Sequence, residues 1–297
     1  MCDEDLVEDV VSYRLRSGEL SRRHFGALSL GVGLVSLLPR VAGAAGAAGA
    51  DVAESDVDIK TPDGPADAYF VHPSKGAHPG VLMWPDIFGL RPAFRQMSRR
   101  LAESGYSVLV VNPFYRSKRA PTAPENADFE DPATREALMA LLKPLTPDRV
   151  VIDARAFVTW LDGQPSVDRK RRMAAVGYCM SGPFTMRAAA ALPDRIGAGA
   201  SFHGGSLVTD KPDSPHLLVP KMKARYLIAI AESDDQRQPE AKTVLREAFA
   251  KAKLPAEIEV YPGTIHGWCP IDARVYNREQ AEKAWSRMLA LFGTALA

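Results

Sequence analysis

Three cysteines in 297 residues are too few for a disulfide framework, which excludes a small stapled scaffold. Net charge is scarce as well. The 37 basic and 36 acidic residues leave +1, so bulk charge argues for no nucleic-acid partner and no membrane-surface partner. The chain has no glycine-rich phosphate fingerprint, no internal repeat, and no histidine–carboxylate or cysteine cluster at metal-ligand spacing. Neither a metal nor another cofactor is expected. Apart from the N-terminal region, no apolar run approaches the length that spans a bilayer, so no stable membrane anchor is expected. What is present is an ordinary globular composition, 46% hydrophobic and 25% charged, at a size that α/β folds often reach as one unit.

The first 50 residues read as a separate segment. Ser21-Arg22-Arg23-His24-Phe25 precedes an apolar run from Gly26 to Leu38, then Pro39 and a low-complexity tract ending Ala48-Gly49-Ala50. Paired arginines, a short apolar core and an A-x-A-like end match a twin-arginine export signal. Its reader is the export machinery, and its destination is the periplasm; without it the protein is cytoplasmic. Residues 51–297 are then one folded domain, beginning at Asp51 if cleavage follows Ala50.

Within that domain, Asp56–Lys60 and Ala66–Val71 flank Thr61-Pro62-Asp63-Gly64, the signature of an opening hairpin. Short apolar runs at Gly80–Trp84, Ser107–Val111, Met173–Val176, Ile196–Phe202, Tyr226–Ala231 and Ala256–Tyr261 read as strands. Helical spacing appears at Arg91–Ser104, at Val150, Val151, Ala154, Phe157, Val158 and Leu161, up to Ala191, and over Pro239–Lys253 and Asn277–Phe292. Alternating strands and helices predict a mostly parallel sheet covered on both faces. Phe114–Pro132 reads as an excursion over the sheet edge, a place where binding residues collect.

The chemistry is concentrated in Gly177-Tyr178-Cys179-Met180-Ser181-Gly182, between an apolar strand and an alanine-rich helix. Small residues two before and two or three after a nucleophile permit a strained turn that lifts the reactive atom clear of a sheet. Downstream lie Glu232-Ser233-Asp234-Asp235 and then His266, each after a strand. The order nucleophile, acid, histidine is that of the α/β-hydrolase fold. A thiol attacks as thiolate, an imidazole can take and return its proton, and a carboxylate fixes the imidazole tautomer.

These blocks resemble the dienelactone hydrolase family. The elbow is similar to its G-Y-C-L-G-G pattern, with Met180 for leucine and Ser181 for glycine. Pro85-Asp86-Ile87-Phe88-Gly89, Asn112-Pro113-Phe114-Tyr115-Arg116 and Gly263-Thr264-Ile265-His266-Gly267-Trp268 resemble three further family blocks in the same order. The resemblance implies an α/β-hydrolase fold and hydrolysis of an ester or lactone through an acyl-thioenzyme. It implies an oxyanion hole of the Met180 and Ile87 amides, an acidic partner of the resting thiol at Asp86, and a substrate-carboxylate clamp at Arg116. A second family arginine is replaced by Pro270; Arg91 or Arg274 could stand in for it. The family's triad aspartate precedes a proline by four residues, which favours Asp235, with Pro239, over Asp234. Phe88, Tyr115 and Trp268 are expected near the substrate. His203 reads as a satisfied loop histidine or pocket lining. Two rivals share these residues: a thioesterase or acyltransferase, and a non-catalytic exported binding or redox protein in which Cys179 pairs with Cys269.

Overall fold

The computed structural model describes residues 50–297; the export-signal reading therefore lies, but for Ala50, outside the described residues. The chain opens with β1 (Val52–Thr61) and β2 (Gly64–Pro73), a hairpin whose register pairs Thr61 with Gly64. Next come β3 (Gly80–Trp84), α1 (Pro92–Glu103), β4 (Ser107–Val111), α2 (Pro132–Leu142) and α3 (Pro147–Asp162). The second half runs β5 (Met173–Tyr178), α4 (Gly182–Ala191), β6 (Ile196–Phe202), β7 (Arg225–Ala231), α5 (Glu232–Arg237), α6 (Ala241–Lys251), β8 (Ala256–Tyr261) and α7 (Arg278–Ala295). Among the described residues no helix is long and apolar enough to cross a membrane.

The eight strands form one sheet in the order β1-β2-β4-β3-β5-β6-β7-β8. β2 runs antiparallel to both β1 and β4, and the strands from β4 to β8 pair in parallel. Every residue of β3, β4, β5 and β6 is buried, which explains runs such as SVLVV and MAAVGY with no polar alternation. β1 is an edge, and its outward Glu54, Asp56 and Asp58 discourage pairing with a further strand.

Successive side chains of each central strand point to opposite faces, and the core divides accordingly. Leu82, Trp84, Leu109, Val111 and Ala175 pack under α3, α4 and α6. Val81, Met83, Val108, Val110, Ala174 and Val176 pack under α1 and α7. α1 has the cleanest amphipathic pattern, burying Phe94, Met97 and Leu101 against the sheet. Strand order reverses between β3 and β5, since β4 lies on one side of β3 and β5 on the other. In open parallel sheets the crevice outside the carboxyl ends of two such strands is where ligands bind.

Candidate active site

Cys179 follows the last residue of β5 directly, with φ +56°, in the left-handed region. For a non-glycine residue that conformation costs about 1–2 kcal/mol, so the surroundings must impose it. The flanking glycines do so by close approach. A Cβ on Gly177 would stand 2.2 Å from the Ser181 carbonyl oxygen, and one on Gly182 would stand 2.6 Å from Cα of Gly204. Ser181 adds a staple that a glycine could not. Its hydroxyl accepts from the Tyr178 amide at 2.9 Å and lies 2.8 Å from the carbonyls of both Trp84 and Pro85. The elbow is thereby fastened to the end of β3, where Ile87 begins its loop.

The Cys179 side chain points toward His266, with Sγ 3.1 Å from Nε2. Behind the ring, Nδ1 lies 2.9 and 3.0 Å from the two carboxylate oxygens of Asp234. An ionised carboxylate can only accept, so this bond places the ring proton on Nδ1 and turns the Nε2 lone pair toward sulfur. The expected acid, Asp235, is elsewhere: its oxygens take Lys242 Nζ at 2.6 and 2.8 Å. The reason is local. Glu232–Arg237 is a helical turn, α5, and not the loop that the sequence suggested. Neighbours on a helix diverge by about 100°, so only one of two adjacent aspartates can face the histidine.

The histidine loop is laced to the start of α5. Glu232 N donates to Thr264 Oγ1 at 3.1 Å, Gly263 N to the Glu232 carboxylate at 2.7 Å, and His266 N to Ser233 Oγ at 3.0 Å. Sequence reasoning missed Glu232 and Ser233 in this role, although an acid-rich first turn after a strand is a helix-start signal.

Met180 and Ile87 are both buried beside Cys179 in one apolar cluster. In the loop after β3, Phe88 N donates to Asp86 Oδ1 and Gly89 N to the Asp86 carbonyl, leaving the Ile87 amide unused. Met180 lies at the turn leading into α4, where amide dipoles favour a developing negative charge.

Several expected ligand contacts are otherwise engaged. Asp86, expected beside the resting thiol, gives its two oxygens to Arg91 at 2.6 and 2.9 Å. Arg116, expected to clamp substrate, donates two N–H groups to Asp153 at 2.7 Å and a third to Asp63 at 2.7 Å. The Tyr115 hydroxyl joins this group, 2.7 Å from Asp153 and 2.8 Å from Thr61. Asp153 is wholly buried, and burial raises its pKa against the opposing pull of Arg116 and Tyr115. A carboxylate inside the apolar stripe of α3, between Val150 and Phe157, was the sequence signal for this internal pair. Trp268 is fully buried and stacks on Tyr261 with ring centroids 4.8 Å apart, part of the core under α1 and α7. Phe88 is half-buried and packs against the apolar cluster that contains Cys179.

His203 directly follows β6, with φ +40°, and is fully buried, its ring 5.1 Å from that of His266 and steeply inclined to it at 71°. Of the two sequence readings, satisfied loop histidine or pocket lining, the first is not met: neither ring nitrogen has a hydrogen-bond partner among the described residues. Burial first, and the neighbouring His266 second, hold its pKa well below the ordinary 6.5. It is an uncharged ring packed against that of His266.

No disulfide joins Cys179 and Cys269, which pack in different apolar clusters. Burial pushes the Cys269 thiol well above its ordinary pKa. A cavity of about 530 Å³ lies by Cys269, Tyr178 and Phe202, between α1 and α7, and none of Cys179, His266 and Asp234 lines it. Among the described residues no group of three or more histidine, cysteine or acidic side chains could hold a metal.

The sequence profile of the Dienelactone hydrolase family matches residues 66–296. A protein of Salmonella typhi, provisionally named a carboxymethylenebutenolidase, is 27% identical over 230 residues, which is 76% of this chain and 81% of its own. The carboxymethylenebutenolidase of Rhodococcus opacus is 25% identical over 228 residues, 75% of this chain and 84% of its own. A solved structure from Klebsiella pneumoniae, provisionally titled a dienelactone hydrolase, matches with a TM-score of 0.70 at 25% identity, over 82% of this chain and 99% of that one.

Proposed function

The chain belongs to the dienelactone hydrolase family, and from that membership we propose that it hydrolyses ester or lactone bonds through a thioester formed on Cys179. The observation that carries the mechanism is the line of three side chains, Sγ to Nε2 at 3.1 Å and Nδ1 to Asp234 at 2.9 Å. His266 Nε2 takes the thiol proton, and the sulfur attacks the carbonyl carbon. The resulting oxyanion is met by the amides of Ile87 and Met180. Collapse breaks the C–O bond, and His266 returns its proton to the departing alkoxide. A water molecule, deprotonated by the same ring, then attacks the thioester; the acid leaves and the thiol is restored. Asp234 holds the tautomer throughout and steadies the imidazolium.

Mass spectrometry of the protein mixed with an activated aryl ester tests this directly. The expected adduct is one acyl group on Cys179, absent after iodoacetamide treatment and absent in Cys179→Ala, whose circular dichroism stays native. Full turnover by Cys179→Ala would end the proposal. The paired arginines belong to the same reading: Arg22→Lys with Arg23→Lys should strand the full chain in the cytoplasm. Unchanged export of that variant would refute a twin-arginine signal.

A further inference from the structure

Four segments at the carboxyl edge of the sheet, three loops and the short helix α5, each carry an arginine, and each arginine already holds an aspartate of the same chain. After β3, Arg91 grips buried Asp86 with two N–H groups and reaches Asp272 at 2.7 and 3.0 Å. After β4, Arg116 is bound between Asp153 and Asp63. After β7, Arg237 donates to Asp234 at 2.8 Å, and after β8, Arg274 lies 2.7 Å from Asp128. Cys179 belongs to the buried apolar cluster that also holds Ile87, Met180, Phe184 and Leu207, and Phe88 packs against that cluster.

From this juxtaposition of an apolar thiol environment with internally neutralised arginines, we infer that the acyl pocket takes uncharged esters or lactones and discriminates against acyl groups that carry a carboxylate. The inference rests on the hydrolase reading above and narrows its substrate class. A substrate carboxylate seeking Arg91 must displace Asp86, which is 8% exposed in its side chain and would be left unpaired in a poorly solvated place. Without displacement, the incoming carboxylate approaches Asp86 and Asp272 as well as the arginine, and like charges at close range oppose binding. An uncharged acyl chain meets no such opposition. It gains by removing apolar surface of Phe88 and its neighbours from water. The arginines act as braces between loops: Arg91 joins the β3 loop to the one carrying Asp272, and Arg274 joins the histidine loop to the Phe114–Pro132 excursion through Asp128.

The test uses two substrates with one acyl chain: 4-nitrophenyl hydrogen adipate, whose far carboxylate is free, and its methyl ester, in which that carboxylate is masked. Release of nitrophenol by the full-length protein should give a kcat/KM ratio favouring the masked ester by about 100-fold or more. Asp272→Asn, which removes one of the two aspartates on Arg91, should narrow that ratio by roughly tenfold. Equal or better turnover of the free acid would overturn the inference while leaving the hydrolase reading in place. A ratio unmoved by Asp272→Asn would overturn its attribution to the neutralised arginine. Failure to turn over either ester would remove the hydrolase reading and this inference with it.

Discussion

Replacing Asp234 by asparagine should disable the enzyme, whereas the same change at Asp235 should not. Both carboxylate oxygens of Asp234 lie within 3.0 Å of His266 Nδ1, so the whole group faces the ring. An asparagine there can offer its NH₂ to Nδ1, which favours the tautomer with the proton on Nε2, aimed at sulfur and useless for deprotonating it. Loss of the correct tautomer and of the charge behind the imidazolium is worth about 10³–10⁴ in kcat, or roughly 4–5.5 kcal/mol of transition-state stabilisation. Asp235 touches Lys242 at the surface, and Asp235→Asn should cost about 0.2–1 kcal/mol of stability with kcat within about twofold of the parent. Initial rates on an activated ester, with thermal melts of each variant, read both effects. A third measurement isolates the pathway: in a His266→Ala background, Asp234→Asn should have almost no further effect on rate, because the two residues act as one unit. Retained activity in Asp234→Asn with loss in Asp235→Asn would refute the geometry. So would a full multiplicative loss in the His266→Ala background.

Three further changes probe other parts of the site. His203 stays neutral in the fold while an unfolded chain protonates it below about pH 6.5, so the unfolded state binds the extra proton and native stability falls as pH falls through that window. His203→Phe should remove up to about 1.4 kcal/mol per pH unit of that acid-side slope in urea melts between pH 6 and 4.5, and an unchanged slope would contradict a buried neutral ring. Gly177→Ala drives a Cβ to 2.2 Å from the Ser181 carbonyl, a backbone atom with no room to yield, and should lose both solubility and activity; a native, active alanine variant would disprove the tight elbow. Asp153→Ala leaves the Arg116 charge buried without its main partner and should destabilise by about 3–5 kcal/mol in denaturant melts. Asp153→Leu combined with Arg116→Met should recover most of that loss.

The order of strands and helices was legible because burial leaves simple marks. Runs such as SVLVV can only be strands covered on both faces, and the 3.6-residue spacing of Phe94, Met97 and Leu101 fixed α1 to within a residue or so of its observed ends. The meeting of Cys179 with His266 was legible because an elbow demands small residues at set offsets and because the order of the three residue types along the chain matched one fold. The acid was not, for a physical reason. Choosing between adjacent aspartates needs the helical phase at Glu232–Arg237, and a six-residue helix is too short to show a period in sequence. Arg116 misled in a different way. A motif match assigns a side chain to a loop but is silent about what packs beneath it, and Asp153 arrives from a helix 37 residues further along.

Two neighbouring strand ends carry the same backbone cost. Cys179 after β5 and His203 after β6 both have positive φ, each at about 1–2 kcal/mol, and His203 also buries two unpaired nitrogens. Asn126, Ser206 and Lys253 also have positive φ, but Cys179 and His203 are the two that directly follow a central strand. If those costs served only to close the turns, glycine would meet them at both places with no strain. At position 179 a glycine would lack the sulfur. At position 203 it would lack the ring that packs 5.1 Å from that of His266. His203→Gly should therefore relieve backbone strain yet lower kcat on an activated ester more than His203→Phe does, because only phenylalanine keeps a ring against His266. Equal rates in the two variants would show that the ring at position 203 does not help to hold His266.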